Sequence, residues 1–509
     1  MNNNDIQTAI ELNNSRDIYA RRAGNHSEVH AALDFFYEEI QAEHRLTRAD
    51  HIKKYRHQIR VFVLDLFVAN QIDPQMYITF PRGKRAYSKG HKHHRMRLSQ
   101  RVATNIADYL ESRGYIEQRK GFYDKQKKSG KITRIRATEK FTSLLTHDYG
   151  VEAGMYMWLR DTSQPTLILK NQDKNAIEYD DTDETLAMKS NLELINSTLE
   201  RHSILLHVSD AEYKEMCARM AAKSHTGRVD FTRKYVRRVF NNSSWEQGGR
   251  FYGGWWQQIP REYRQHIRLN DKDVVECDYS GLHINMLYAM ENLPVPDGDV
   301  YDIPEYPESS HAFRNFVKRL LLTIVNSADK ESARKALNKS VYFDKDLKLP
   351  EEIPSIKAED IFPLLDAFSR KHQGISHYFC TGKGIDLQFM DSQIAERIMV
   401  RFSELGYPIL PMHDSFIIHH GLEPDLKECM NEEFQEMFKS GIQVDLKYNS
   451  IEERQATEPQ GYCGLSLEEL LEEVSETGEY GLYNNLLNQF RRYAQEEIQD
   501  EYCPSPSIG

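Results

Sequence analysis

Apolar and polar positions alternate along this chain with periods that change from segment to segment, and the changes mark out elements. From Ile52 to Asn70 apolar residues recur at helical spacing, predicting an amphipathic helix. Residues 1–50 read as polar helical material. A stretch rich in Pro, Gly, Lys and His follows, from Pro81 to Arg97, and reads as a loop. The next helical pattern runs from Leu98 to Arg113 and stops at Gly114. Two strand-like runs come next, Tyr115–Arg119 and Ile132–Thr138, separated by a basic turn, Lys125 to Lys131. Asp173 to Glu184 is acidic and loop-like, a candidate boundary, and Leu186 to His202 again has helical spacing. Further on, a short apolar strand, Val274 to Cys277, ends on Asp278 and passes into a helix. Two apolar strands flank His413 and Asp414, at what reads as a hairpin tip.

Composition places the chain among globular proteins and then complicates the charge. Its 509 residues are too many for one core and predict two to four domains. Hydrophobic residues make up 40% and charged ones 28%. No run of about 18 apolar residues is present, so no membrane span is expected. The first residues lack a basic stretch leading into an apolar one, so no signal peptide is expected. The six cysteines are scattered without a CxxC pair, which disfavours a zinc knuckle or a disulfide framework and fits a reducing cytoplasm. The net charge is −11, yet it is unevenly spread. From His51 to Lys140 there are 22 Lys and Arg against 7 Asp and Glu, whereas from Ile451 to Gly509 there are 3 against 13. A basic block beside an acidic tail suits a protein that holds phosphates in one place, although both can be plain solvated faces.

Helix, strand, basic turn, strand is the winged-helix pattern, which puts a helix in a groove and the wing on a phosphate backbone, or serves as a protein-docking module. The cluster from His91 to Arg95 reads as a phosphate-contacting loop rather than a metal site. Four stations downstream carry candidate chemistry. Asp278 at a strand end is held rigidly and can bind a divalent cation, with the peptide carbonyl of Tyr279 adding a ligand; a helix N-cap is the structural alternative. Asp414 at the hairpin tip needs water, a partner or a metal, and with Asp278 it supplies two carboxylates for two Mg²⁺ ions in phosphoryl transfer. Arg314 and Lys318, at i and i+4, share a helix face and can grip a triphosphate, Lys318 neutralising the leaving pyrophosphate. Gly249-Arg250 and the Trp255–Pro260 segment come before them: the glycine permits close backbone approach, the arginine offers a fork of donors, and the paired tryptophans read as core.

As an ordered set these residues resemble the superfamily of family A DNA polymerases and single-subunit phage-type RNA polymerases. Asp278-Tyr279-Ser280 is similar to motif A, Arg314-xxx-Lys318 to motif B and His413-Asp414-Ser415 to motif C. Gly249-Arg250 and Gln257-Gln258-Ile259-Pro260 resemble segments that contact primer and template; Gln388 and Ser392-Gln393 resemble the element before motif C. The resemblance covers roughly Val229 to Lys447. It implies primer or template contacts for Arg250, Gln257, Gln258, Gln388, Gln393 and His413. It implies nucleotide contacts for Arg314, Lys318, His283 and Asn326, and Asp278, Tyr279 and Asp414 as metal ligands. Three departures stand out. Motif C reads His-Asp-Ser-Phe, as in the RNA enzymes; Asn326 fills the slot of the motif B tyrosine; and His283 fills the slot of the glutamate that blocks a 2′-hydroxyl.

The resemblance implies an α+β right-hand polymerase of palm, fingers and thumb, preceded by a winged-helix-like domain. The expected boundaries are an N-terminal helical segment at 1–50, the basic winged-helix-like domain at 51–149 and a thumb-like region at 150–225. Palm would occupy 226–300 and 386–450, fingers 301–385 and an acidic tail 451–509. The expected activity is that of a DNA-directed DNA polymerase without an editing exonuclease, cytoplasmic, using two Mg²⁺ ions with Mn²⁺ as a substitute, and acting on nucleic-acid template and primer with nucleoside triphosphates. A single-subunit RNA polymerase or primase-like enzyme is the nearest alternative. A non-catalytic nucleic-acid-binding regulator and a metal-dependent nuclease are the further ones.

Overall fold

The computed structural model describes residues 14–24, 26–88, 97–124, 129–152, 160, 162, 164–223, 227–303, 305, 311–343, 361–447 and 480–502. The His91–Arg95 cluster, the turn residues 125–128 and most of the acidic tail lie outside them. The described chain is a mixed assembly of helices and small, mainly antiparallel sheets.

The first block holds β1 (Ser15–Asp17), α1 (Ser27–His44), α2 (Ala49–Ile72), β2 (Tyr77–Phe80), α3 (Gln100–Ser112), β3 (Ile116–Arg119), β4 (Phe122–Asp124), β5 (Ser129–Lys131), β6 (Thr133–Ala137) and α4 (Glu139–Ser143). Its sheet runs β1-β2-β6-β3, with β4 and β5 forming a separate small hairpin. Helix α3 and the β3/β6 pair match the periods in the sequence, Ile116 lying opposite Ala137 and Arg119 opposite Arg134. Two features differ. Ser129–Lys131, read as turn, are strand, so the turn is narrower. Residues 15–17, read as part of a polar helical segment, form a strand parallel to β2. Three residues are too few to show a period of two against polar neighbours.

A buried four-charge cluster fastens this strand. The Arg16 guanidinium sits 2.8 and 2.9 Å from the two Asp65 oxygens, and Arg22 Nε donates to Asp65 at 2.8 Å. Arg22 also reaches Asp230, far along the chain, at 3.1 Å. Burial alone would raise the Asp230 carboxyl, but Arg16 and Arg22 hold it well below the usual carboxylate range.

The second block comprises β7 (Leu167–Lys170), β8 (Ala176–Ile177), α5 (Asp183–Glu200), β9 (Ile204–Leu206), α6 (Asp210–Lys223), β10 (Arg237–Phe240), β11 (Gly248–Tyr252) and β12 (Ile267–Leu269). Its main sheet runs β11-β10-β7-β8, and β9 pairs with β12. The acidic stretch read as a loop contains β8. Helix α5 starts at Asp183 rather than Leu186, because Thr182 and Thr185 cap each other reciprocally across the first turn (2.8 and 3.3 Å).

The third block follows with β13 (Val274–Tyr279), α7 (Leu282–Met290), α8 (His311–Asn326), α9 (Lys330–Phe343), α10 (Ile361–Lys371), α11 (Gly384–Glu404), β14 (Leu410–Pro411), β15 (Ser415–His419), α12 (Glu423–Phe438) and β16 (Val444–Leu446). The antiparallel sheet runs β14-β15-β13-β16, with β13, buried from Val274 to Cys277, in its interior. Helix α11 packs across β11, α5 and α12, which ties this sheet to the second block. The closing helix, α13 (Gly481–Tyr502), lies against β9. No helix among the described residues is long and apolar enough to cross a membrane.

Candidate catalytic site

Strand pairing brings the two singled-out carboxylates together. Asp278 lies opposite Ser415 on β15, one residue past Asp414, and opposite Asp445 on β16. The backbone carbonyl of Asp414 faces Tyr279 N at 3.4 Å. The turn carrying Asp414 closes through Met412 N donating to Ser415 O at 2.7 Å, and His413 takes a left-handed φ of 74° within it. The hairpin tip read from the sequence is therefore present.

Asp278 is asymmetrically engaged. Its Oδ2 accepts from Lys447 Nζ at 2.7 Å, and the same ammonium reaches Glu276 Oε1 at 2.9 Å. Ser415 Oγ donates to that Glu276 oxygen at 2.7 Å. Asp278 Oδ1 is buried and has no hydrogen-bond partner. Burial, then the charge of Asp414, push the Asp278 carboxyl up to about 6, against the pull of Lys447 and Lys318. The Tyr279 side chain turns into the core, its hydroxyl donating to Met430 O at 2.5 Å, so its ring is not available as a ligand.

Near the carboxylates lies α8, whose Lys318 acts on the Asp278 charge. Arg314 and Lys318 both stand over the ring of Tyr301, at 5.1 and 5.8 Å. Arg314 is paired with Asp299, while the exposed Lys318 is near enough to lower the Asp278 carboxyl. Tyr301 is buried, and its hydroxyl comes within 3.5 Å of where a Cβ on Gly281 would be. Burial first, opposed by Arg314 and reinforced by Asp414, raises this phenol to about 12. Tyr301, Asp299, Glu276 and Lys447 were absent from the sequence-derived set. Only the turn Asp297–Asp302, just before α8, could have drawn attention to the first two.

The residues expected to touch primer, template or sugar divide into two groups. Arg250 Nε lies 3.0 Å from Asp391 Oδ2, and His283 Nε2 lies 3.1 Å from the same oxygen and 3.2 Å from Arg250 Nη2. Asp391, on α11, thus joins the Gly-Arg segment to His283. His283 is buried, with Nδ1 unpartnered. Gly249 beside them is needed for packing: at φ 80° a Cβ there would meet Ser392 Oγ at 2.6 Å. Gln257 has both amide ends engaged internally, accepting from Gly253 N at 2.9 Å and donating to Pro411 O at 2.9 Å. Gln258 is exposed and Gln393 half-buried. Gln388 reaches Asn326 at 3.3 Å, linking α11 to the end of α8. The His413 ring sits 5.3 Å from Tyr252. Trp255 and Trp256 are fully buried, as expected of core.

Two carboxylates with uncommitted oxygens suit a divalent cation. Oδ1 of Asp278 is orphaned, and the Asp414 carboxylate takes no hydrogen bond or ion pair among the described residues. Among those residues no group of three or more His, Cys, Asp or Glu gathers for a metal.

No protein-family model matches the chain, and no curated protein matches it. Among solved structures, the POL domain of Pol1 from M. smegmatis, in complex with DNA primer-template and dNTP, is similar over 42% of this chain and 48% of that one, at 13% identity and a TM-score of 0.25. The chain thus spans about half of that structure.

Proposed function

We propose that this chain is a template-directed nucleotidyltransferase that joins nucleoside triphosphates to a growing strand, acting as a DNA-directed DNA polymerase. The observation that carries the proposal is the pairing of β13 with β15, which sets Asp278, with its buried, unpartnered oxygen, beside Asp414, with Lys318 near enough to act on its charge. Asp278, Asp414 and the Tyr279 carbonyl would hold the divalent cations. Bound there, such ions lower the pKa of a 3′-hydroxyl and polarise the phosphates. Lys447 holds Oδ2 of Asp278, so Oδ1 is presented in one orientation. Lys318 supplies positive charge where pyrophosphate charge develops, and Arg314, steadied by Asp299, adds a second cation along the same helix face. Arg250, clamped by Asp391, offers its remaining donors to the primer-template minor-groove edge. The basic first block, with its helix α3 and β3/β6 hairpin, would hold template or duplex in the manner of a winged helix.

A second reading, a single-subunit RNA polymerase or primase-like enzyme, is favoured by Ser415, which stands directly after Asp414 and donates to Glu276. His283 bears on the choice of sugar. Held by Asp391 at 3.1 Å, it stands as a fixed planar wall. We expect deoxynucleotide preference, relaxed in His283→Ala. Primer extension with each nucleotide set, on DNA and RNA templates, tests both readings. Incorporation by wild type that disappears in Asp278→Asn and Asp414→Asn, with nucleic-acid affinity retained, supports the assignment. Extension by either variant at the wild-type rate removes it. Equal or better use of ribonucleotides by the wild type selects the RNA reading.

A further inference from the structure

A second site lies away from the carboxylates, where the first block meets the second. A cavity of about 830 Å³ opens there between the segment after β1, the β10–β7–β8 sheet and the end of β11. Its walls carry five cationic side chains, Arg21, Arg97, Lys189, Arg233 and Arg237, and one carboxylate, Glu178. Tyrosine rings alternate with them. Lys189 stands 5.2 Å over the ring of Tyr179, and Arg233 stands 5.5 Å over that of Tyr19. At one end the lining includes Tyr252, which is 37% exposed and whose ring lies 5.3 Å from that of His413, the neighbour of Asp414.

We propose that this cavity is a binding channel for an unpaired nucleic-acid strand. Cations interleaved with aromatic faces are what a single strand requires, because phosphates take the charge and each base presents a π-face whatever its sequence. A free triphosphate is a poorer occupant. It carries a single base, which would leave most of the four lining tyrosines, Tyr19, Tyr179, Tyr235 and Tyr252, unused. A duplex is poorer still, since its bases are already stacked and would leave the tyrosines unused. Most of the lining lies outside the span that resembles polymerases, five of its residues in the first block, so the site belongs to this chain's own architecture. That the strand runs on toward Asp414 rests on the nucleotidyltransferase reading; that it binds does not.

The test uses full-length protein and a labelled oligo(dT) of about twelve nucleotides, within the range that single-strand sites of this kind occupy, with fluorescence anisotropy at several salt concentrations. Arg21→Gln combined with Lys189→Gln should weaken binding by about tenfold and lower the salt slope by about one to two units, as expected when two phosphate contacts to a single strand are lost. Tyr252→Ala, at a partly exposed position where truncation leaves the fold intact, should weaken binding without changing the salt slope. Asp278→Asn should bind like the wild type. Unchanged affinity in both the double variant and Tyr252→Ala overturns the channel. So does competition by ATP or by duplex DNA as effective as that by unlabelled oligo(dT). Loss of extension with these binding results intact would count against the polymerase assignment alone, whereas robust extension with unmoved binding would count against the channel alone.

Discussion

At the scale of single residues, Asp278 has the most consequential surroundings. Its carboxyl is raised to about 6 by burial and by Asp414, above the ordinary value, so the folded chain keeps that proton longer than the unfolded chain. Between those two values the folded state binds more protons, and the stability of the metal-free protein should fall as pH rises, levelling off above about pH 6. The cost is on the order of 3 kcal/mol, two pKa units and a fraction at about 1.4 kcal/mol each. A divalent cation offsets it, but only once the proton has left. The increase in melting temperature caused by Mg²⁺ should therefore be large at about pH 7.5 and small at about pH 5.5, and Asp278→Asn should flatten the difference. A Mg²⁺ shift that is the same at both pH values would show that no metal reaches this carboxylate. Gly249 gives a purely structural counterpart. At φ 80°, with Ser392 Oγ and Phe240 within 3 Å of any added Cβ, Gly249→Ala should lose about 2–4 kcal/mol in urea unfolding, from backbone strain together with overpacking.

At the scale of elements, α8 is where packing and chemistry divide along one helix. Phe316, Val317, Leu320, Leu321 and Ile324 are buried, while Lys318 is exposed on the side from which it acts on Asp278. Removing its ammonium should leave the helix folded and cost roughly 10²–10³ in incorporation rate, the scale of losing one preorganised charge at a transition state. Single-turnover kinetics of Lys318→Ala checks this, and a variant that changes only template affinity would assign the helix a different part. The legibility of the sequence follows the same division. Helices α2, α3 and α5, strand β13 and the hairpin around Asp414 were visible because ten or more residues keep a helical period, or because an apolar run ends sharply on a charge. Strands β1, β8 and β16 were not, since two or three residues show no period and their pairing is set by distant partners. The site divides likewise. Asp278, Asp414, Arg314 and Lys318 sit at recognisable spacings. Lys447 and Asp391 do not, because each acquires its meaning only when a remote strand or helix delivers it to Asp278 or Arg250.

At the scale of the whole molecule, the first block is fastened to the rest of the chain by charge as well as by apolar packing. Arg16 and Arg22 reach Asp65 on α2 and Asp230 ahead of β10, and all four side chains are nearly free of solvent contact. The expected division at residue 50 runs close to this cluster, yet the strand holding Arg16 belongs to the same sheet as β2, β6 and β3. Removing the first block would therefore expose Asp230 without its partners and uncover the wall of the 830 Å³ cavity, so truncation is a poor probe of nucleic-acid binding. A point substitution is cleaner. Taking one partner from a buried ion cluster leaves uncompensated charge, a loss of about 3–5 kcal/mol. Asp65→Ala leaves two guanidinium groups facing Asp230 alone and should lower unfolding stability by that amount, read as a shift of the urea midpoint. Because the cluster spans both blocks, tryptophan fluorescence, which reports Trp158, Trp245, Trp255 and Trp256, all beyond the first block, should shift together with far-ultraviolet dichroism, dominated by helices on both sides. If dichroism moved while the tryptophan transition stayed in place, the first block would be an independent folding unit, and its ion cluster would stabilise only itself.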